Sequence, residues 1–155
     1  MAVRRGDRAP AFQLPQGPGD VIDLGDFLGR DKVVLLFFPL AFSPVCTTEL
    51  CTISREWDEW ESLDARVFGI SVDSPFVTSR FREEENIRFP VLSDFNKRVS
   101  EEYGVLHEEL LGLKGVSKRS VFVIDREGTV VYDWISENPG VEPDYGEVKQ
   151  AVEAA

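Results

Sequence analysis

The only two cysteines of this 155-residue chain, Cys46 and Cys51, lie five residues apart, shortly after the apolar run VVLLFF. An apolar run that stops at a proline predicts a strand buried on both faces, and Ser43 and Pro44 then predict the start of a helix. On this interpretation Cys46 lies in the first helical turn, where unpaired N–H groups and the positive end of the helix dipole favour an anion. A thiolate is such an anion and is the nucleophilic form of cysteine. The position favours a reactive thiol, and an inert buried thiol is the alternative.

Composition and charge narrow the possible functions. The length fits a single domain over residues 1–155, and 28 acidic against 17 basic side chains give a net charge of −11. A surface of this charge disfavours nucleic acid and anionic membranes as partners. No stretch approaches the roughly 18 apolar residues that a membrane span needs, and no apolar signal core follows the basic N-terminus. We therefore expect a cytoplasmic protein, in which a disulfide is usually transient and catalytic.

The pattern of elements predicts an α/β fold. In chain order we expect an irregular N-terminal arm over residues 1–20, a strand at 33–39, a helix at 46–63, a strand at 65–73, a helix at 74–86, an extended segment at 89–94, a short helix at 97–103, a hairpin in SVFVIDREGTVVYDWI and a last helix from Asp144. The strand–helix–strand crossover implies parallel central strands, and the hairpin adds antiparallel ones. This order predicts a thioredoxin-like fold, with a central mixed β-sheet flanked by helices. In such sheets the functional crevice lies beyond the carboxyl ends of the strands, where Cys46 is expected.

The spacing P-x-x-x-S-x-x-C, formed by Pro39, Ser43 and Cys46 after a buried strand, resembles the active-site signature of the peroxiredoxins. GDRAPAFQL, FPVLSDFNKRVSEEYGV and RSVFVIDREGTVVY, which begins with Arg119, resemble the same family. FFPLAFSPVCTTEL is similar to the bacterioferritin comigratory protein and alkyl hydroperoxide reductase E branches, with Glu49 three residues past the cysteine. The resemblance covers essentially the whole chain.

The resemblance implies a thiol-dependent peroxidase that reduces hydrogen peroxide or organic hydroperoxides. It makes Cys46 the nucleophile, and it gives Ser43, where the family more often has threonine, a hydrogen bond to the thiolate and to the peroxide. It gives Pro39 the shielding of the sulfur and Arg119 the positioning and polarising of the peroxide. Glu49 is expected to orient Arg119 or the loop backbone, and a solvated surface carboxylate is the alternative.

Attack on peroxide leaves a cysteine sulfenic acid that another thiol must resolve, and Cys51 is the only candidate within the chain. Five residues along an intact helix separate two Cα atoms by roughly 8.6 Å, whereas a disulfide needs at most about 7 Å. The first helical turns would therefore have to unwind. The C-x-x-x-x-C spacing resembles the comigratory proteins that resolve within one helix, but FFPLAFSPVC resembles the E branch, which commonly lacks the second cysteine. A one-cysteine mechanism with an external thiol is the alternative.

The expected partners follow from the same resemblance. Electrons would come from a thioredoxin-like protein or a low-molecular-weight thiol, since the sequence has no nucleotide-binding glycine motif for a bound cofactor. A single histidine, His107, and two cysteines argue against a metal site. We expect a homodimer through the side of the active-site loop, where Phe42 lines either the pocket or the subunit contact.

The sequence is also compatible with two other functions. A thiol–disulfide oxidoreductase acting on protein disulfides usually has C-x-x-C after the strand, and the wider spacing here disfavours it. A redox-sensing interaction module would react about once with peroxide, whereas a peroxidase turns over with reductant.

Overall fold

A computed structural model describes residues 2–155, so Met1, which belongs to the expected N-terminal arm, lies outside the described residues. The strands are β1 (Gln13–Gly17), β2 (Asp20–Asp23), β3 (Lys32–Phe37), β4 (Ala65–Ser71), β5 (Val91–Ser93), β6 (Ser120–Ile124) and β7 (Val130–Ile135). The helices are α1 (Pro44–Arg55), α2 (Trp57–Ser62), α3 (Pro75–Glu84), α4 (Arg98–Glu102) and α5 (Tyr145–Ala154), and a 3-10 turn covers Leu24–Asp26.

The central sheet is mixed and has the strand order β5-β4-β3-β6-β7. Strands β3, β4 and β5 run parallel, and β6 and β7 pair antiparallel beside β3. The expected α/β, thioredoxin-like arrangement of a mixed sheet flanked by helices is confirmed.

Strand β3 lies at the centre of this sheet because it is apolar on both faces. Its alternate residues belong to two separate hydrophobic clusters, one on each side of the sheet: Val33, Leu35 and Phe37 on one side, Val34 and Leu36 on the other. Side chains alternate across a strand, so an unbroken apolar run is what a doubly covered strand requires. The loop that follows β3 is thereby fixed at one end to the most buried part of the molecule.

The N-terminal arm is more regular than its prolines suggest. Strands β1 and β2 form a separate two-stranded antiparallel sheet, with an irregularity in register between Pro15 and Gly17. Gly19, with φ of +75°, allows the tight turn between them. The short extended piece expected within residues 1–20 is β1, whereas its pairing with β2 was missed, because prolines at an edge and a bulge do not prevent a short hairpin.

The helix expected over residues 46–63 is two helices. At Glu56 the backbone leaves the helical region (φ −102°, ψ 26°), and its N–H bonds to the carbonyls of Ile53 and Ser54. The break lets the Trp57 ring stack on Phe89, with centroids 5.8 Å apart, while the Trp60 side chain is buried in the core. An amphipathic stripe alone does not reveal such a break, because both halves keep helical periodicity.

Within residues 2–155, no helix combines the length and the apolar character that crossing a membrane requires.

Candidate active site

Cys46 is the third residue of α1, directly at the carboxyl end of the central sheet. Ser43 is the N-cap of this helix and Pro44 its first residue, a position where a missing N–H costs nothing. The Cys46 side chain is only 1% exposed, and its sulfur accepts a hydrogen bond from the Arg119 guanidinium at 3.1 Å. A thiolate here is stabilised by the helix N-terminus and by a fixed positive charge.

Arg119 immediately precedes β6 and is as buried as the cysteine, at 1% exposure. Besides Cys46, its guanidinium donates to Oε1 of Glu49 at 2.7 Å and, through two nitrogens at 3.1 and 2.8 Å, to the carbonyl of Pro139. Burial opposes the charged form, but the charges of Glu49 and Cys46 outweigh that effect and raise the pKa of Arg119. The guanidinium is therefore a permanent, oriented positive charge beside the thiol.

Glu49 lies one helical turn after Cys46 and is completely buried. Burial raises the pKa of its carboxyl group to about 7, and the neighbouring Arg119 offsets this only in part. One carboxylate oxygen bonds to Arg119, whereas Oε2 has no hydrogen-bond partner among residues 2–155. Of the two interpretations that the sequence left open, the surface carboxylate is excluded by this burial.

Ser43 and Pro39 both belong to the segment that joins β3 to α1. The Ser43 hydroxyl donates to the carbonyl of Leu40 at 2.7 Å and has no bond to the sulfur of Cys46. Because a carbonyl can only accept, the hydroxyl hydrogen is committed to Leu40, and the oxygen remains free to accept a hydrogen bond. Pro39 is buried two residues after the end of β3, and its backbone has no N–H to donate.

Cys51 lies in the same intact helix as Cys46, and both thiols are free. Its side chain is half-buried, with the sulfur 4.0 Å from the carbonyl oxygen of Glu85 at the end of α3. Burial and the charge of Glu85 raise the pKa of this thiol, against a smaller opposite effect of Arg55. Cys51 is therefore a weaker nucleophile in this conformation than a free cysteine.

Two further groups touch the site and were missed from the sequence. Asp73 accepts the N–H of Ala41, inside the loop, at 2.7 Å. Asp73 lies just past the carboxyl end of β4, where functional residues of open α/β sheets are expected. This position could have marked it as a site residue in the sequence. The carbonyl of Pro139 has no such signal, because backbone groups leave no trace in residue type.

The single histidine of the chain, His107, is not part of this arrangement. His107 is buried, and its Nε2 atom has no hydrogen-bond partner within the described chain. Between residues 2 and 155 no three or more His, Cys, Asp or Glu side chains come together in a way that could hold a metal ion.

The comparison with protein families agrees with this geometry. Residues 5–133 match the model of the AhpC/TSA family. The chain belongs to this family. It is a peroxiredoxin, a thiol-dependent peroxidase, and the resemblance inferred from its motifs is confirmed.

Several relatives of this peroxiredoxin have names or solved structures. It is 37% identical to peroxiredoxin Bcp of Escherichia coli K12 over 131 residues, which are 83% of either chain. The crystal structure of peroxidoxin BcpB from Mycobacterium tuberculosis superimposes with a TM-score of 0.85 at 31% identity, covering 98% of this chain and 97% of that one. Mycobacterium tuberculosis AhpC gives a TM-score of 0.83 at 29% identity, over 99% and 93%. These likenesses favour the peroxidase over the thiol–disulfide oxidoreductase and the sensor module.

Proposed function

We propose that Cys46 is the nucleophile of this peroxiredoxin. Its thiolate attacks the terminal oxygen of a hydroperoxide, the O–O bond breaks, and the second oxygen leaves with the electron pair and takes up a proton from solvent to give water or alcohol, so that Cys46 becomes a sulfenic acid. The observation that carries this proposal is the 3.1 Å contact between the sulfur and Arg119 in a buried first helical turn. Of the two thiols only Cys46 has this activation, whereas the pKa of Cys51 is raised by burial.

Arg119, Ser43 and Pro39 then receive the peroxide. Negative charge develops on the leaving oxygen as the bond breaks, and the guanidinium stabilises this charge more strongly in a dry site than in water. The Ser43 oxygen, with its hydrogen committed to Leu40, accepts from the peroxide O–H. Pro39 shields the sulfur, and Glu49 orients Arg119 through their 2.7 Å ion pair.

We propose that Cys51 resolves the sulfenic acid. Its thiol displaces the sulfenic oxygen as water and forms the Cys46–Cys51 disulfide, which an external thiol then reduces. The intact α1 holds the two Cα atoms too far apart, so its first turns must unwind. Unwinding also removes Cys51 from the burial and from Glu85, which makes it a better nucleophile at that step.

The external reductant is a thioredoxin-like protein or a low-molecular-weight thiol in the cytoplasm. The two electrons for each peroxide have to come from such a donor, since the sequence has no nucleotide-binding motif.

The protein is proposed to act as a homodimer that pairs through the loop side of the site. Exposed phenylalanines support this arrangement: Phe42 in the loop before α1, Phe76 at the start of α3 and Phe95 after β5, with 70% exposure at Phe76. Large apolar side chains left in solvent are typical of a surface that a partner covers. Sedimentation of the wild type and of Phe76→Ser tests this assignment.

The experiment that tests the mechanism is intact mass, with and without thiol alkylation, after one equivalent of hydrogen peroxide. Reduced wild type is expected to lose two hydrogens and both alkylation sites, whereas Cys51→Ser gains one oxygen at Cys46. If wild type stops at a sulfenic acid and Cys51 stays alkylatable, an external thiol resolves Cys46 directly. Absence of rapid change at Cys46 in both proteins contradicts the nucleophile itself.

A further inference from the structure

The turn between β3 and α1 contains a residue in a strained conformation. Phe42 has φ of +67°, in the left-handed region that residues other than glycine rarely adopt, at a cost of roughly 1–2 kcal/mol. Its ring packs edge-on against Phe81 of α3, with centroids 4.9 Å apart. Strain of this kind persists only where the surroundings fix it, and the residue just before it, Ala41, donates its N–H to Asp73.

The Asp73 carboxylate is a firm support because it is itself fixed to the sheet. The same oxygen that accepts from Ala41 also accepts the hydroxyl of Ser71 at 2.7 Å, and the Ser93 hydroxyl donates to the main-chain carbonyl of Asp73. Ser71 and Ser93 are both buried, at the last positions of β4 and β5. The carboxylate is thus fixed at the carboxyl edge of two parallel strands, and its bond to Ala41 restrains the turn.

One peptide group connects Asp73 to Ser43. Its N–H belongs to Ala41 and donates to the Asp73 carboxylate, while its C=O belongs to Leu40 and accepts the Ser43 hydroxyl at 2.7 Å. A charged acceptor strengthens the bond to the N–H and polarises the peptide group, so that the carbonyl becomes a better acceptor in turn. The hydroxyl hydrogen is held on Leu40 by this chain of bonds, and the oxygen is left free for another donor.

We infer that Asp73 is a positioning residue of the peroxidase reaction, which acts on the bound peroxide through the Leu40–Ala41 peptide and the hydroxyl of Ser43. It holds the strained turn against the thiol and keeps the Ser43 oxygen turned to accept the peroxide O–H. It has no bond to Cys46 or Arg119 in the described chain, so the activation of the thiol does not depend on it. This inference rests on the proposed role of Cys46 as the nucleophile.

The test compares two reaction rates at Cys46, because only oxidation by peroxide is expected to depend on the turn. The first is the second-order rate of oxidation by hydrogen peroxide in a single turnover, and the second is the rate of alkylation by iodoacetamide, which needs the thiolate alone. Asp73→Ala is expected to slow oxidation about 10-fold or more, because small misplacements in a site are costly, and to leave alkylation within about 2-fold. Asp73→Asn keeps an oxygen that accepts from Ala41 and is expected to recover most of the oxidation rate.

A double-mutant cycle identifies the route through Ser43. If Asp73 acts by way of this hydroxyl, Asp73→Ala adds less than about 2-fold to the loss already caused by Ser43→Ala. Asp23→Ala is the matched control, because it removes an aspartate bond of 2.8 Å to the N–H of Gly25 in the 3-10 turn that follows β2. The control is expected to oxidise at the wild-type rate.

Several outcomes contradict the inference. Oxidation and alkylation that fall together in Asp73→Ala mean a general loss of structure at the site. Losses that multiply in the double variant mean that Asp73 does not act through Ser43, and an Asp73→Asn variant as slow as Asp73→Ala means that holding the N–H of Ala41 is not its role. A wild type whose Cys46 is alkylated but not oxidised contradicts the nucleophile instead, so the two failures are distinct.

Discussion

The two partners of the buried Cys46–Arg119 contact are held in very different ways. Arg119 immediately precedes β6, a strand whose five residues are all buried between β3 and β7. Its guanidinium has two further partners, Glu49 and the carbonyl of Pro139. The arginine side of the site is therefore part of the rigid sheet.

The thiol side is held by a helix of low intrinsic stability. Thr47, Thr48 and Thr52 each donate their hydroxyl to the carbonyl four residues earlier, a bond that slightly destabilises and bends helices. Ser43 caps no N–H of α1, because its hydroxyl is committed to Leu40. Such a missing cap bond costs about 1 kcal/mol. The positive charge and the thiol are thus held by separate parts of the molecule: Arg119 by the sheet, and Cys46 by a helix of lower intrinsic stability.

The largest effect is expected from the rigid side. Arg119→Lys replaces a fork of fixed donors by a single flexible charge, which cannot bind sulfur, Glu49 and Pro139 together. We expect the rate of Cys46 oxidation by peroxide to fall by about 10²–10³-fold, the usual cost of losing a donor to developing negative charge. Stopped-flow mixing with hydrogen peroxide measures this rate.

Arg126→Lys is the matched control for that variant, because Arg126 forms an exposed ion pair with Asp64 outside the site. It is expected to react at the wild-type rate. If Arg119→Lys oxidises within 10-fold of the wild-type rate, the developing charge is stabilised by another group. The contrast between the arginine side and the thiol side then does not hold.

The second effect concerns Glu49, which lies on the thiol side but binds the arginine side. Burial raises its pKa from 4.5 to about 7, so between these pH values the folded protein binds more protons than the unfolded chain. The free energy of unfolding therefore falls as the pH rises through this window, by about 3 kcal/mol from this group alone. Glu49→Gln keeps an oxygen for Arg119 but cannot titrate, and is expected to flatten this slope.

Urea unfolding at intervals between pH 5 and pH 8 measures the slope. Glu153→Gln, an exposed glutamate of α5, serves as the control and is expected to keep the wild-type dependence. If Glu49→Gln keeps the full decrease in the free energy of unfolding with pH, another group titrates in this range. The Glu49–Arg119 pair is then not the source of the pH dependence.

The contrast between the two sides also explains what could be predicted from sequence. The β3 strand and the thiol at the head of α1 follow from an apolar run, a Ser-Pro pair and the cysteine spacing, which are all local signals. Arg119 and Glu49 were found only through the family resemblance, since 70 residues separate them and nothing local joins them. The break at Glu56, the carbonyl of Pro139 and the strained Phe42 depend on tertiary contacts that residue types do not encode.

The third effect is expected from the stability of α1. Thr48 is exposed, so substitutions there change helix propensity with little effect on packing. Alanine and glycine differ by about 1 kcal/mol in a helix interior, which is roughly a 5-fold difference in an opening equilibrium. If α1 unwinds to form the proposed disulfide, Thr48→Ala slows and Thr48→Gly speeds the step from sulfenic acid to disulfide.

Rapid quenching followed by intact mass measures that step, and the oxidation of Cys46 in the same samples is its internal control. Both variants are expected to form the sulfenic acid at the wild-type rate. Equal rates of disulfide formation in the two variants would mean that the helix does not open at position 48, or that Cys51 does not resolve.

The smallest effect is expected from α2, which follows α1 but is fastened to α5. Lys149 forms ion pairs of 2.8 and 3.1 Å with Glu56 and Glu59, and its ammonium lies 5.4 Å from the centre of the Trp60 ring. Lys149→Gln removes these contacts. We expect the free energy of unfolding to fall by about 1 kcal/mol, the range of partly exposed ion pairs and cation–π contacts, with a smaller difference at high salt.

Disulfide formation in Lys149→Gln tests where the opening stops. Because the helix already breaks at Glu56, the proposed unwinding of α1 need not disturb α2, and the rate of the disulfide step is expected to stay within about 2-fold of wild type. If Lys149→Gln accelerates this step as much as Thr48→Gly does, the opening extends through Glu56 into α2. The boundary between the fixed and the mobile parts would then lie at α5 and not at the break between the two helices.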